Sequence, residues 1–128
     1  MTIAPDETGP NPQTARVGTA FVPVSDPAAA AHWYADAFGL RAVDTSPWAA
    51  TLEAAGGTTL TLMGPQSGMT SPGLGFATHN LVVADVEATR ERFVADGRNP
   101  GEIEGDAAVC RFFTLQDPDG NVVLVCDR

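Results

Sequence analysis

The chain has 128 residues, enough for one domain with a buried core. Sixteen acidic residues stand against seven arginines, and the net charge of −9 argues against a nucleic-acid partner and favours a cationic ligand. The sequence has no run of 18 apolar residues and no secretory signal pattern, so we expect a soluble, cytoplasmic protein without a membrane span.

The first 15 residues differ in composition from the rest of the chain. Pro5, Pro10 and Pro12 stand among polar and acidic residues. Such a segment cannot bury enough apolar surface to offset the entropy lost on ordering. We therefore predict a disordered N-terminal arm over 1–15 and a single domain over 16–128.

The sequence predicts one structural unit over residues 17–64. β-branched and aromatic residues over 17–24 predict a strand. Asp26 is a favourable N-cap, and apolar residues at three- and four-residue spacing predict a helix over 28–38 that ends at Gly39. Three shorter strands are expected after it, over 41–45, 48–53 and 58–63.

A loop rich in glycine and proline over 65–75 precedes a second unit of the same kind. A strand is predicted over 76–83, and Asp85 is expected to cap a second helix that ends at Gly97. A short strand over 98–103 and a closing hairpin complete this unit.

The closing hairpin has the clearest local signal. Asp-Pro-Asp-Gly at 117–120 predicts a tight turn between two strongly β-forming runs. In the register that we predict, Arg111 lies opposite Cys126, and Arg111 and Phe113 share the face that holds Leu124. Cys110 would then be on the face opposite to Cys126, so both cysteines are expected to be reduced thiols.

The two units form an internal repeat. Val24 and Val83 both lie two residues before a capping aspartate, and the offset of 83 − 24 = 59 also pairs Thr19 with Thr78. Each unit reads βαβββ, so we predict an α+β fold of curved mixed sheets that form a trough, with the helices on the outer face. The two modules are predicted over about 17–64 and 76–127.

The repeat, the Trp-Tyr and Phe-Gly pairs at 33–34 and 38–39, and the Asp-Pro-Asp-Gly-Asn turn at 117–121 resemble the vicinal oxygen chelate superfamily. That superfamily includes glyoxalase I, extradiol dioxygenases, fosfomycin-resistance enzymes and bleomycin-resistance proteins. The resemblance covers nearly all of the predicted domain. It implies the fold more strongly than any one function, because this fold supports many activities.

The resemblance also implies where a metal would be held. The enzymes of the superfamily use His, Gln or Glu from the first and last strand of each module. The matching positions here are Thr19, Thr61, Thr78 and Leu124. Threonine hydroxyls are poor ligands for transition metals and leucine is none, so we expect neither a metal site nor another cofactor.

His79 competes with this interpretation, because a one-residue slip of its strand would turn it into the trough. A lone histidine without a carboxylate partner still makes no metal site. A hydrogen-bonded histidine under the helix layer or at the start of the strand is the alternative that we favour.

An apolar, hydroxyl-rich trough with exposed aromatic residues suits a large, partly planar organic molecule. Among the relatives, the metal-free bleomycin-resistance proteins sequester a drug without changing it, as homodimers with ligand sites near the subunit interface. The resemblance therefore predicts a homodimer that sequesters an antibiotic or another aromatic natural product, cationic or neutral. The expected ligand-binding residues are Phe21, Trp48, Thr61, Met63, Thr78, Asn80, Arg111, Phe113 and Leu124.

Two other classes of function remain open from the sequence. One is an enzyme of the same fold: a metal-dependent lyase, dioxygenase or transferase, or a metal-free isomerase that uses Asn80 or His79. The other is a partner-binding or regulatory module. The sequence shows no phosphate-binding glycine loop and no Cys-x-x-Cys motif.

Overall fold

A computed structural model describes residues 12–128, so most of the predicted N-terminal arm lies outside the described residues. The described chain contains two helices and two four-stranded mixed sheets, which confirms the predicted α+β class. No helix among these residues is both long and apolar enough to cross a membrane. The elements are β1 (Thr19–Pro23), α1 (Pro27–Phe38), β2 (Arg41–Thr45), β3 (Ala49–Glu53), β4 (Thr59–Met63), β5 (Asn80–Val82), α2 (Val86–Ala95), β6 (Glu104–Asp106), β7 (Cys110–Gln116) and β8 (Val122–Cys126).

The first sheet has the strand order β1-β4-β3-β2, with β1 parallel to β4 and the other pairs antiparallel. The predicted helix limits are confirmed: Asp26 Oδ1 accepts hydrogen bonds from the first-turn amides of α1 at 3.1 and 3.2 Å. Gly39 ends the helix with φ 68°, a left-handed conformation that glycine adopts without a steric cost. Helix α1 covers one face of this sheet, where Leu52 and Leu62 are fully buried.

The second sheet repeats this arrangement with the order β5-β8-β7-β6. Strand β5 is shorter than the predicted strand over 76–83. The Val122 amide, at the start of β8, donates to the Leu74 carbonyl at 3.0 Å. At this end of β8 the hydrogen-bond partner is therefore the loop before β5, and not β5 itself. The predicted strand over 98–103 is wrong. Pro100 interrupts it because it has no amide hydrogen to donate, and the edge strand forms instead at Glu104–Asp106.

The predicted hairpin register is wrong by one residue. Phe112, not Arg111, lies opposite Cys126, because the closing pair is Asp117 and Asn121, whose amide-to-carbonyl bond measures 3.0 Å. A one-residue change moves every side chain of the strand to the other face. Phe113 is therefore fully buried under α2 instead of facing the trough.

The two modules share one hydrophobic core. Phe93 of α2 makes edge-to-face contacts with Phe38 of α1, at a ring-centroid distance of 5.4 Å, and with Phe113 of β7 at 6.0 Å. At the surface of this junction, Arg98 pairs with Asp36 at 2.6 Å. The helices therefore join the modules through contacts within a single chain.

A buried polar network also joins the modules. The Asp117 carboxylate accepts hydrogen bonds from the Tyr34 hydroxyl at 2.7 Å, from the Asn121 side-chain amide at 2.9 Å and from the Asn121 and Asp119 backbone amides, both at 2.9 Å. Asn121 also donates to the carbonyl of Pro23 at 2.8 Å. Burial, followed by the Asp117 carboxylate, raises the pKa of Tyr34 above its usual value, so its hydroxyl is a proton donor in this network.

Candidate ligand-binding face and inter-module cavity

Each sheet has one face without a helix, which we call the open face. Successive side chains of a strand point to opposite faces of its sheet. The open face therefore carries the residues that alternate with the buried Leu60, Leu62, Val123 and Val125. On the first sheet these are Thr19, Phe21, Thr59, Thr61 and Met63. On the second sheet they are Asn80, Val82, Phe112, Thr114, Val122, Leu124 and Cys126.

The four positions that match metal ligands of the superfamily do not fit a divalent metal. The hydroxyls of Thr19 and Thr61 are 2.7 Å apart and bond to each other, and Thr19 also donates to the Thr59 carbonyl at 3.0 Å. Thr78 bonds to its neighbours, and Leu124 offers no donor atom. Across residues 12–128, no three His, Cys, Asp or Glu side chains are grouped so that they could hold a metal ion.

Two aromatic side chains predicted at the site are exposed. Phe21 of β1 is 46% exposed and Trp48, just before β3, is 57% exposed. A free indole or phenyl ring on a sheet surface can contact a planar ligand by stacking, which contributes about 0.5–1.5 kcal/mol per ring pair beyond area burial. These two side chains are the aromatic groups available for a ligand among the predicted residues.

Two of the predicted ligand-binding residues lie on the helix-covered face of the second sheet and not on its open face. Phe113 is in the core against Phe93, and the Arg111 guanidinium pairs with Glu87 of α2. Both positions follow from the one-residue register difference. Neither side chain belongs to the open face, whereas Thr61, Met63, Asn80 and Leu124 do.

The register also changes the environment of the cysteines. Cys110 and Cys126 are on the same face, and their thiols interact with each other. Burial raises the pKa of the Cys126 thiol, and the Asn80 amide opposes this rise by its hydrogen bond. Both thiols are free, as predicted, but their expected separation on opposite faces is wrong.

A cavity of about 270 Å³ lies between the modules, where the edge strands β1 and β5 face each other without forming a ladder. We call it the inter-module cavity. A neighbouring cavity of about 430 Å³ shares four of its lining residues, Ala54, Thr58, Asn80 and Leu81. The inter-module cavity is lined by Val17, Thr19, Ala20, Ala54, Thr58, Thr59, Leu60, His79, Asn80 and Leu81.

His79 forms part of the wall of the inter-module cavity. Its Nδ1 lies 3.0 Å from Thr78 Oγ1, and the Thr78 hydroxyl is oriented to donate to the Phe21 carbonyl oxygen at 3.4 Å. With the Thr78 proton directed there, we assign the imidazole proton to Nδ1, which leaves Nε2 as an acceptor. No described residue donates to this buried Nε2, and such an unpaired acceptor costs about 1–3 kcal/mol.

The stability of the protein is expected to depend on pH through His79. Burial lowers the pKa of His79 below its usual 6.5, so the folded state disfavours the imidazolium. The stabilising contribution is complete above the unfolded pKa and is lost as the pH falls below it, because the unfolded chain then binds more protons. Urea unfolding between pH 7.5 and 5.5 should show a loss in the free energy of unfolding, at most about 1.4 kcal/mol per pH unit.

The control for this effect is His79→Gln, which retains a polar side chain but does not titrate. His32 is exposed and is present in both proteins, so the comparison isolates the effect of His79. A wild-type slope equal to that of His79→Gln over this pH range would contradict the assignment.

The chain belongs to the glyoxalase/bleomycin resistance protein/dioxygenase superfamily, whose family model matches residues 16–125. This match and the two βαβββ modules confirm the family that the sequence resembles. No curated protein sequence matches the chain.

Several solved structures share the fold. The antibiotic-binding protein TnmS3 from Streptomyces sp. CB03234 is 24% identical, with a TM-score of 0.74, and the match covers 90% of this chain and 97% of TnmS3. A lactoylglutathione lyase from Agrobacterium tumefaciens is 21% identical, with a TM-score of 0.72, over 88% of this chain and 93% of the lyase. The oxidase ChaP-H2 is 22% identical, with a TM-score of 0.68, over 91% and 95% of the two chains. These similarities show the fold, which binding proteins and enzymes share.

Proposed function

We propose that this protein binds an aromatic natural product, such as an antibiotic, on its open face and sequesters it without chemical change. The observation that carries this proposal is the donor set at the superfamily's metal positions. Three of the four side chains are threonine hydroxyls, two of which are bonded to each other, and the fourth is Leu124. Such groups can bind an organic ligand, but they are unsuited to activating one through a metal.

The chemistry of the open face supports a flat ligand. Phe21 offers an exposed ring on this face, and Met63 and Leu124 offer partly exposed apolar surface. The exposed ring of Trp48 lies beside this face, just before β3. Asn80 supplies an amide that can orient a polar group of the ligand. The net charge of −9 would attract a cationic compound over a distance. The fold shared with TnmS3 is consistent with this function and does not by itself assign it.

We further propose that the functional form is a homodimer with the ligand near the subunit interface. In a single chain, Phe21, Trp48 and Val82 leave substantial apolar surface on or beside the open faces. A ligand held against one such surface alone would remain partly in water. A second copy placed over the open face would enclose it and increase the apolar area buried on binding.

Titration of bleomycin, a phenazine and an anthraquinone against tryptophan fluorescence tests the binding function. We expect one of these probes to bind and to alter the emission of the exposed Trp48. For that probe, Trp48→Ala should weaken binding by about tenfold, the effect of losing roughly 1.4 kcal/mol of stacking and contact area. The matched control is Val109→Ala, which truncates another exposed apolar side chain, 70% exposed and located before β7.

Two further measurements separate sequestration from catalysis. Mass spectrometry of the recovered probe should show an unchanged mass, and light scattering should give twice the mass of one chain. A probe recovered with an altered mass would contradict sequestration and favour an enzyme. Equal affinities for wild type and Trp48→Ala would remove Trp48 from the site, and a monomer at ligand-binding concentrations would contradict the proposed dimer.

A further inference from the structure

We propose that the inter-module cavity is a second, separate site, and that it binds a small single-ring molecule with a hydrogen-bond donor, of the phenol class. This site is distinct from the open face proposed for the larger ligand. The two proposals have different ligands and different tests. They share three residues, Thr19, Thr59 and Asn80, which lie on the open face and also line the cavity.

The size of the cavity sets the size of the ligand. A cavity of about 150 Å³ suffices for a benzene ring, and this one measures about 270 Å³. It has room for one ring with a substituent. A larger ligand would have to extend into the neighbouring cavity, which shares four lining residues with this one.

The lining of the cavity favours an apolar ring. Ala20, Leu60 and Leu81 direct side chains to the helix side of their strands, and they form an apolar wall. The hydroxyl of Thr19 is already committed to Thr61 and the Thr59 carbonyl, so it does not require a polar group from the ligand. An apolar ring would gain contacts here without leaving these polar atoms unpaired.

His79 selects the polar group of the ligand. Its Nδ1 is bonded to Thr78, and its Nε2 has no donor among the described residues. An acceptor nitrogen pairs with an O–H or N–H and not with an ether or carbonyl oxygen. A phenolic hydroxyl therefore matches this cavity, whereas the methyl ether of the same ring does not.

Phenol and anisole, which differ only in this donor, are the probes for the site. Calorimetry and ¹H–¹⁵N correlation spectra of the full chain should show phenol binding with shifts around Ala20, His79 and Leu81. We expect anisole to bind about tenfold more weakly, the effect of one net hydrogen bond. Equal affinities would overturn the role of His79, and the absence of cavity shifts at tens of millimolar phenol would overturn the site.

Two variants localise the effect. His79→Phe removes the acceptor, so it should reduce phenol affinity to the level of anisole and leave anisole binding unchanged. Ala54→Leu adds volume to the lining and should weaken both probes, while Ala107→Leu makes the same change in an exposed turn and should not. Phenol binding that survives Ala54→Leu unchanged would contradict the location. Because the two probes are compared on the wild-type chain, the test holds even if a variant does not fold.

Failure of this proposal would not affect the proposed function. Loss of phenol binding in Ala54→Leu with retained binding of the larger probe would show two independent sites. Trp48→Ala should leave phenol affinity unchanged, because Trp48 is not part of the cavity lining. A parallel loss of phenol affinity in Trp48→Ala would contradict a separate site.

Discussion

Replacing Asp117 with alanine is expected to lower the free energy of unfolding by about 3–5 kcal/mol, among the largest effects of any single substitution in this chain. Four hydrogen bonds are donated to this buried carboxylate, and the substitution removes the acceptor of each of them. Three of these donors belong to the turn itself, and one, Tyr34, belongs to the other module. Urea unfolding followed by circular dichroism measures the loss.

Two comparison variants show whether the loss comes from the network. Tyr34→Phe removes one of the four hydrogen bonds and should cost about 1–2 kcal/mol. Asp44→Ala removes an exposed carboxylate on β2 and should change stability by less than about 0.5 kcal/mol. If Asp117→Ala cost no more than Tyr34→Phe, the turn amides would have found other partners and our account of the network would be incorrect.

Truncating Phe93 to alanine should cost about 3–5 kcal/mol, the range for a buried aromatic side chain that leaves a cavity. Phe93 is fully buried and contacts Phe38 from one module and Phe113 from the other. The two modules share this contact, so we expect the wild-type chain to unfold in a single cooperative transition. Urea unfolding monitored by tryptophan fluorescence and by circular dichroism tests both statements.

The matched control is Val94→Ala on the same helix. Val94 is 53% exposed, so its truncation should change the free energy of unfolding by less than about 0.5 kcal/mol. Two separate transitions in the wild-type chain, detected differently by the two probes, would contradict a shared core.

Local chemistry in the sequence was sufficient to predict the helices and most strands. An aspartate followed by proline or a helix-forming run identifies an N-cap, and Asp26 and Asp85 both act in this way. Gly39 has the positive φ that its position after the helix requires. These features depend on a few neighbouring residues, so the sequence alone contains the information.

The hairpin register was not available from the sequence for a physical reason. Every position of β8 is apolar, so the alternation of apolar and polar residues gives no signal for which side chains face the helix. The register instead depends on which pair closes the turn, and Asp117 closes with Asn121. This one choice decides whether Phe113 meets a ligand or enters the core.

The inter-module cavity was also beyond prediction from local patterns. It forms where β1 and β5 lie side by side without pairing, which depends on how the two modules pack. The sequence predicts for His79 only a hydrogen-bonded position under the helix layer or at the start of its strand. Its role depends on contacts with Thr78 and the Phe21 carbonyl, and neither contact follows from spacing along the chain.

The connection between the modules is fixed at both ends. The Gly64 amide donates to the Trp48 carbonyl at 2.7 Å, and a Cβ at this glycine would approach Pro27 Cγ to 2.8 Å. At the other end, the amides of Gly73 and Leu74 both donate to Asn121 Oδ1 at 2.8 Å. Residues 65–72 therefore span two anchored points, and we expect an insertion between them to leave both anchors in place. Fragments produced by cleavage within this span should reassociate, since the contacts that join them lie elsewhere.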